Sequence, residues 1–114
     1  MTRIVYDRES FRLSMEGHAG AGVKGTDPVC AALSMLCMTL ERRAGEMEEF
    51  FLPAVSRAPG RFSIQCRPES GWEERCRECF DTLAAGMALL SEERPEYVRF
   101  RQDGEETGEE QSNE

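Results

Sequence analysis

A chain of 114 residues has room for one domain around one core. Its net charge of -8 argues against nucleic acid as the main ligand, and no apolar run approaches the roughly 18 residues needed to span a bilayer. The opening stretch Met1–Glu9 lacks a signal peptide's apolar core, and five cysteines, an odd number, favour reduced thiols in a cytoplasm over a disulfide framework.

Thr2 to Asp7 is predicted to be a strand, with Ile4 and Tyr6 alternating against Arg3, Val5 and Asp7. Arg8-Glu9-Ser10 is a polar turn. Phe11, Leu13 and Met15 then alternate with Arg12, Ser14 and Glu16 in a half-buried second strand. The two make a hairpin that delivers the chain to Gly17-His18. A glycine-rich loop runs from Ala19 to Thr26. Asp27-Pro28 is a strong helix start, because Asp is a favoured N-cap and Pro is preorganised for the first helical position. The apolar stripe Val29, Leu33, Leu36, Leu40, Ala44, Met47 steps by three and four, which predicts a long helix ending near Glu49.

Phe50 to Val55 fits either a short strand or an apolar connection carrying Pro53. Ala58-Pro59-Gly60 marks a turn, and Arg61 to Arg67 alternates through Phe62, Ile64 and Cys66. Ser70 with Glu73 has the capping-box spacing for a second helix, whose stripe is Trp72, Cys76, Phe80, Leu83, Met87, Leu90. Pro95 ends it, and Tyr97, Val98 and Phe100 predict a last short strand. From Asp103 to Glu114 there are six acidic residues and no basic one, so this stretch is expected to be a disordered acidic tail. The order ββαβ(β)αβ predicts a two-layer α+β domain over residues 1–102: a small, mostly antiparallel sheet with two helices packed on one face.

The informative segment runs from Gly17 to Ser34. His18, the only histidine, ends a strand, and Cys30 opens a helix twelve positions later. With Asp27 as N-cap, Cys30 takes the third helical position, near unpaired N–H groups and the positive end of the helix dipole. Helix N-termini are among the environments that favour a thiolate, the nucleophilic form of cysteine. The same N–H groups, that of Cys30 first, are candidate donors to the oxyanion of a tetrahedral intermediate. His18 is the candidate acceptor of the thiol proton and later its donor to a leaving amine. On spacing alone the bland reading is the commoner one: a surface histidine and a small buried cysteine. Asp27 sits close enough to disfavour a thiolate. It either caps the helix or orients the imidazole, and the sequence leaves both open.

The segment Gly17-His18-Ala19, a glycine-rich stretch, then Asp27-Pro28-Val29-Cys30-Ala31-Ala32-Leu33-Ser34 resembles the signature of the ribosomal-processing (Prp) cysteine proteases. The resemblance implies a bacterial endopeptidase that removes a short N-terminal extension from large-subunit ribosomal protein number twenty-seven during ribosome assembly. It implies Cys30 as nucleophile and His18 as base, with Gly17, Asp27 and Ser34 on supporting positions and a homodimer as the assembly. Pro28 departs from the aliphatic residue more usual in that family. The first helical turn tolerates proline.

Competing readings attach to three features. Gly20, Gly22 and Gly25 formally spell a dinucleotide loop, but they lie between a hairpin strand and a capped helix, in a chain too short for a doubly wound sheet. A lid that closes on an extended peptide fits them better, with Lys24 a candidate substrate contact. Cys76 and Cys79 lie inside a predicted helix without a second ligand pair, which favours core packing over zinc or redox chemistry. Cys37 is core or a redox companion of Cys30. No metal or organic cofactor is implied, and no direct nucleic-acid contact is expected. The acidic tail is expected to attract a basic substrate or shield the site. The alternative function, from a different class, is a non-catalytic module that binds ribosomal protein segments.

Overall fold

Strand alternation divides the sheet into a buried and an open face, and everything else is arranged around that division. The computed structural model describes residues 1–22 and 26–103. In chain order the elements are β1 (Thr2–Asp7), β2 (Arg12–Gly17), α1 (Pro28–Glu46), α2 (Glu48–Phe51), β3 (Ala54–Ala58), β4 (Arg61–Gln65), α3 (Glu73–Glu93) and β5 (Val98–Asp103). The strands lie in the order β3-β4-β2-β1-β5. Only β1 and β5 pair in parallel; the other neighbours are antiparallel. This is the α+β architecture expected, with one short helix and one strand more than its minimal count.

Ile4, Tyr6, Leu13, Phe62, Ile64 and Val98 point to the helical side and join Val29, Leu33 and Leu40 of α1 and Phe80 and Met87 of α3 in one core. Burying each such side chain contributes about 1.5–3 kcal/mol before entropy is counted. The residues between them, Arg3, Arg12, Arg61, Arg99 and Arg101 among others, face solvent on the opposite side. Among the described residues no helix is long and apolar enough to cross a membrane.

Four local expectations are corrected. The long helix α1 ends at Glu46 rather than near Glu49, and a separate turn, α2, follows. Phe50 to Val55 is neither simple strand nor connection. Phe50 and Phe51 close α2, Leu52 turns the chain in a left-handed conformation (φ 47), and β3 starts at Ala54. Ser70 does not cap α3. The N-cap position is Trp72 without a side-chain cap, and the Glu73 carboxylate accepts from Gly71 N–H at 2.9 Å, so the reciprocal bond closes one residue late. Asp103, assigned above to the tail, is the last residue of β5, opposite Asp7. Residues 104–114, the rest of the expected tail, lie outside the described residues.

A polar clasp ties β1 to α3. The Tyr6 hydroxyl donates to Asp81 Oδ1 at 2.6 Å, and Arg8 grips the same carboxylate with two nitrogens, at 3.0 Å to Oδ1 and 2.9 Å to Oδ2. Burial pushes the Tyr6 phenol upward, and its hydrogen bond to the Asp81 carboxylate pushes it further. Burial alone would raise Asp81, but Arg8 and Tyr6 outweigh it and hold the carboxyl below its ordinary value. The Arg8 and Asp81 side chains are 36 % and 30 % exposed, so solvent screens the ion pair. Tyr6, 1 % exposed, is the costly partner to orphan. Asp81→Ala is expected to destabilise the fold by about 1–3 kcal/mol in urea titrations, chiefly through the unsatisfied phenol. Tyr6→Phe removes donor and debt together, and is expected to cost about 1 kcal/mol.

Candidate active site

The site begins where β2 ends. Gly17 has φ +97, and a Cβ there would stand 2.3 Å from the Met1 carbonyl oxygen, so only glycine fits. Its N–H donates to the Gly60 carbonyl at 2.8 Å, fastening the end of β2 to the turn between β3 and β4. In that turn Pro59 fixes one φ and Gly60 takes the other at +70, the pattern of a type II turn. The ring of His18 lies over Gly60: a Cβ there would be 3.0 Å from His18 Nε2. Two glycines therefore set the histidine, one by turning the backbone and one by leaving room for the ring.

The second half of the site is the start of α1. Asp27 is the N-cap, as expected. Its Oδ1 accepts from Val29 N–H at 2.9 Å and Cys30 N–H at 3.1 Å, and its Oδ2 from Ala21 N–H at 2.9 Å. Its own carbonyl takes Ala31 N–H at 3.0 Å. Capping and tethering the loop are thus the visible roles of Asp27. Burial by itself would raise this carboxyl, but the backbone N–H groups of Cys30, Ala21 and Val29 outweigh it and hold it below its ordinary value. The arrangement corrects one expectation: the Cys30 N–H, named above as the first oxyanion donor, already donates to Asp27. A substrate carbonyl reaching it must share or displace Oδ1.

Gly17, His18, Cys30 and Ser34 line one cleft of about 300 Å3. Cys30 is half-buried, whereas His18 and Ser34 are exposed. Leu33, Met15 and Phe62 supply apolar surface, and Arg57 and Arg61 bring positive charge from the β3–β4 hairpin. Asp27 does not line this cleft. Among the described residues, Gly20 and Gly22 do not line the cleft, and Gly22 packs instead beside the Asp27 backbone. Gly25 and Lys24, the rest of the expected substrate loop, lie outside the described residues.

Arg57, Gly60, Arg61 and Phe62 escaped the sequence reading as site residues. The alternation over Arg61–Arg67 shows that Phe62 points inward, but not that its strand pairs with β2. Register does that: Glu16 opposite Arg61 brings the hairpin turn beside Gly17 and His18. Arg57 then pairs with Glu41 of α1 and lies 5.9 Å over the Phe62 ring, closing that wall.

The other cysteines behave as core. Cys37 also borders the cleft but is 4 % exposed, its sulfur 3.8 Å from Met15 Sδ, and burial pushes its thiol up to about 11. Cys76 is raised by a thiol hydrogen bond to Cys66 and then by burial; Cys79 is raised by burial. Among the described residues no three His, Cys, Asp or Glu side chains gather as a metal set.

Comparison with known proteins gives concordant results. The family model for cysteine protease Prp matches residues 1–99. No curated protein matches the chain by sequence. Among solved structures, the chain is similar to an essential ribosomal processing protease Prp from S. aureus in complex with a covalently linked product peptide, with a TM-score of 0.73, 22 % identity, and coverage of 89 % of this chain and 96 % of that one. The S. aureus protease in complex with a substrate peptide gives a TM-score of 0.70 and 19 % identity, covering 90 % and 99 %. A Streptococcus mutans protein gives 0.64 and 23 %, covering 89 % and 90 %. At these identities the structures show a shared fold.

The site generates two predictions. Asp27 has a folded-state value below the ordinary 3.8, so its contribution is fully present above the unfolded value and is lost as pH falls through the folded one. Asp27→Asn is therefore expected to flatten the acid limb of a stability–pH curve measured by urea denaturation. Gly60→Ala is expected to push the His18 ring aside, seen as a displaced imidazole carbon-bound proton resonance together with reduced peptidase activity. The left-handed backbone adds a stability cost of about 1–2 kcal/mol.

Proposed function

Because the chain belongs to the cysteine protease Prp family, we propose that it is an endopeptidase that removes a short N-terminal extension from large-subunit ribosomal protein number twenty-seven, during ribosome assembly in a bacterial cytoplasm. The observation that carries the reading is the convergence of Cys30, His18 and Ser34 on one cleft. A cysteine protease needs an accessible thiol. Cys37, Cys66 and Cys76 are buried, and Cys79 sits on α3 away from the cleft, which leaves Cys30. His18, the only histidine, borders the same cleft.

In this reading Cys30 gives its proton to His18, and its sulfur attacks the scissile carbonyl carbon. The C–N bond breaks as His18 protonates the leaving amine. Water, deprotonated by the same imidazole, then hydrolyses the thioester and restores the thiol. No metal or organic cofactor takes part. Leu33, Met15 and Phe62 offer the apolar floor an extended peptide needs. The S. aureus relatives hold a substrate peptide and a covalently linked product peptide, which supports a peptide as the ligand of this cleft. Pairing as a homodimer belongs to the same reading, and the 61 % and 52 % exposed Met35 and Met38 on α1, beside the cleft, supply an apolar face for it.

One observation favours the second reading, a non-catalytic module gripping ribosomal protein segments: the Cys30 N–H is engaged by Asp27. Cleavage of the ribosomal protein's N-terminal peptide, followed by mass spectrometry, separates the two. A single cut by the wild type is expected, none by Cys30→Ala, and a rate lower by about 10²–10⁴-fold for His18→Ala. A peptide that binds and stays whole, or is cut by Cys30→Ala, ends the peptidase reading.

A further inference from the structure

The helices cover one face of the sheet, and the other face collects more positive than negative charge, five arginines against Asp7, Glu16 and Asp103. Arg3, Arg12, Arg61, Arg99 and Arg101 surround a single shallow concavity of about 620 Å3, and Glu16 is the only acidic residue lining it. Strand register explains the gathering. Arg99 stands beside Arg3 across the parallel pair, Arg3 opposite Glu16, and Glu16 opposite Arg61, so one row across four strands carries three guanidinium groups and one carboxylate. Arg101 pairs with Asp103 at 3.3 Å. Among the described residues Arg3, Arg12, Arg61 and Arg99 have no ion-pair partner. Like charges on neighbouring strands repel, as Arg3 and Arg99 do here, so an anion on this face would relieve that repulsion.

We propose that residues 104–114 of the same chain are that anion, docking on the arginine face of the sheet. These residues carry Glu105, Glu106, Glu109, Glu110 and Glu114 and no basic side chain. They leave β5 directly at the edge of the face, after Asp103. Eleven residues reach about 36 Å when extended, whereas the five strands span roughly 19 Å at about 4.8 Å per spacing. Every arginine in the concavity is within that reach. Covalent attachment also places the glutamates at an effective concentration on the order of millimolar.

Other occupants fit less well. A second copy would set five arginines against five more. A single-stranded nucleic acid stacks its bases on exposed aromatic rings, and the one ring among the residues lining this concavity, Phe62, is only 7 % exposed. The docked segment would end beside the active site, since Met15, Ala58, Arg61 and Phe62 line both the concavity and the cleft that holds Cys30.

The test compares the full chain with a form ending at Asp103 by the side-chain Nε–Hε resonances of the arginines, at low and at high salt. This readout is independent of peptidase activity. Docking is expected to move the resonances of Arg3, Arg61 and Arg99 between the two forms at low salt. The difference should collapse near 1 M salt, where the screening length is about 3 Å. Replacing Glu105, Glu106, Glu109 and Glu110 by Gln in the full chain should reproduce the truncated spectrum. Superimposable arginine resonances in the two forms overturn the proposal. So do shifts that scale with protein concentration, which assign the contact to a second copy. An oligouridylate that perturbs the full and truncated chains equally also overturns it, by making the face a nucleic-acid surface.

Discussion

The pairing of β4 with β2 is the constraint on which the site depends. The two halves of the site, the end of β2 and the start of α1, are separated in sequence by the glycine-rich stretch 19–26. The register that sets Glu16 opposite Arg61 carries the Pro59-Gly60 turn to the end of β2, where Gly17 N–H meets the Gly60 carbonyl. The same register aligns Leu13 with Ile64 and Met15 with Phe62 on the buried face. A slip by one residue would turn Phe62 and Ile64 to water and move the turn away from His18. Core packing and site assembly are therefore the same event, and the histidine inherits the rigidity of the sheet.

At the other half of the site a single carboxylate has two effects that pull in different directions. Asp27 satisfies two first-turn N–H groups of α1 and holds the loop through Ala21. That fixes where Cys30 stands. It also places negative charge at the helix start and occupies the very N–H groups that a catalytic helix N-terminus uses to stabilise an oxyanion. In the proposed mechanism a substrate carbonyl at the Cys30 N–H would compete with the Asp27 carboxylate. Cys37, two turns further along α1, shows the contrast: buried against Met15, its thiol is held neutral at ordinary pH.

The sheet works as a partition. One face is covered by helices and carries the apolar core. The other is left to arginines whose spacing is set by the strand pairing alone. At the β3–β4 end the two regions meet, because Arg61 and Phe62 are consecutive residues pointing to opposite faces. Charge on the open face and the cleft that holds Cys30 are thereby neighbours without sharing a layer.

Local chemistry made much of this legible in the sequence. Asp27-Pro28 announces α1 because capping and φ restriction act within a few residues, and alternation announces β1, β2 and β4 because burial on one face imposes period two. The Gly17–Ser34 signature pointed to Cys30 and His18, and the structure puts both on one cleft. Tertiary contacts decided the rest. The β3 strand is exposed along its length and has no alternation to read, so only pairing with β4 creates it. Ser70 carries the right spacing for a cap, yet the Glu73 carboxylate bonds Gly71 instead. Gly60 reads as a turn residue until register places it under the His18 ring, and five arginines scattered from Arg3 to Arg101 read as solvated charges until the sheet gathers them. Sequence determines what lies within a turn or a strand's period. Which strands become neighbours is paid for by burial summed over the whole core, and that is decided only when the chain is folded.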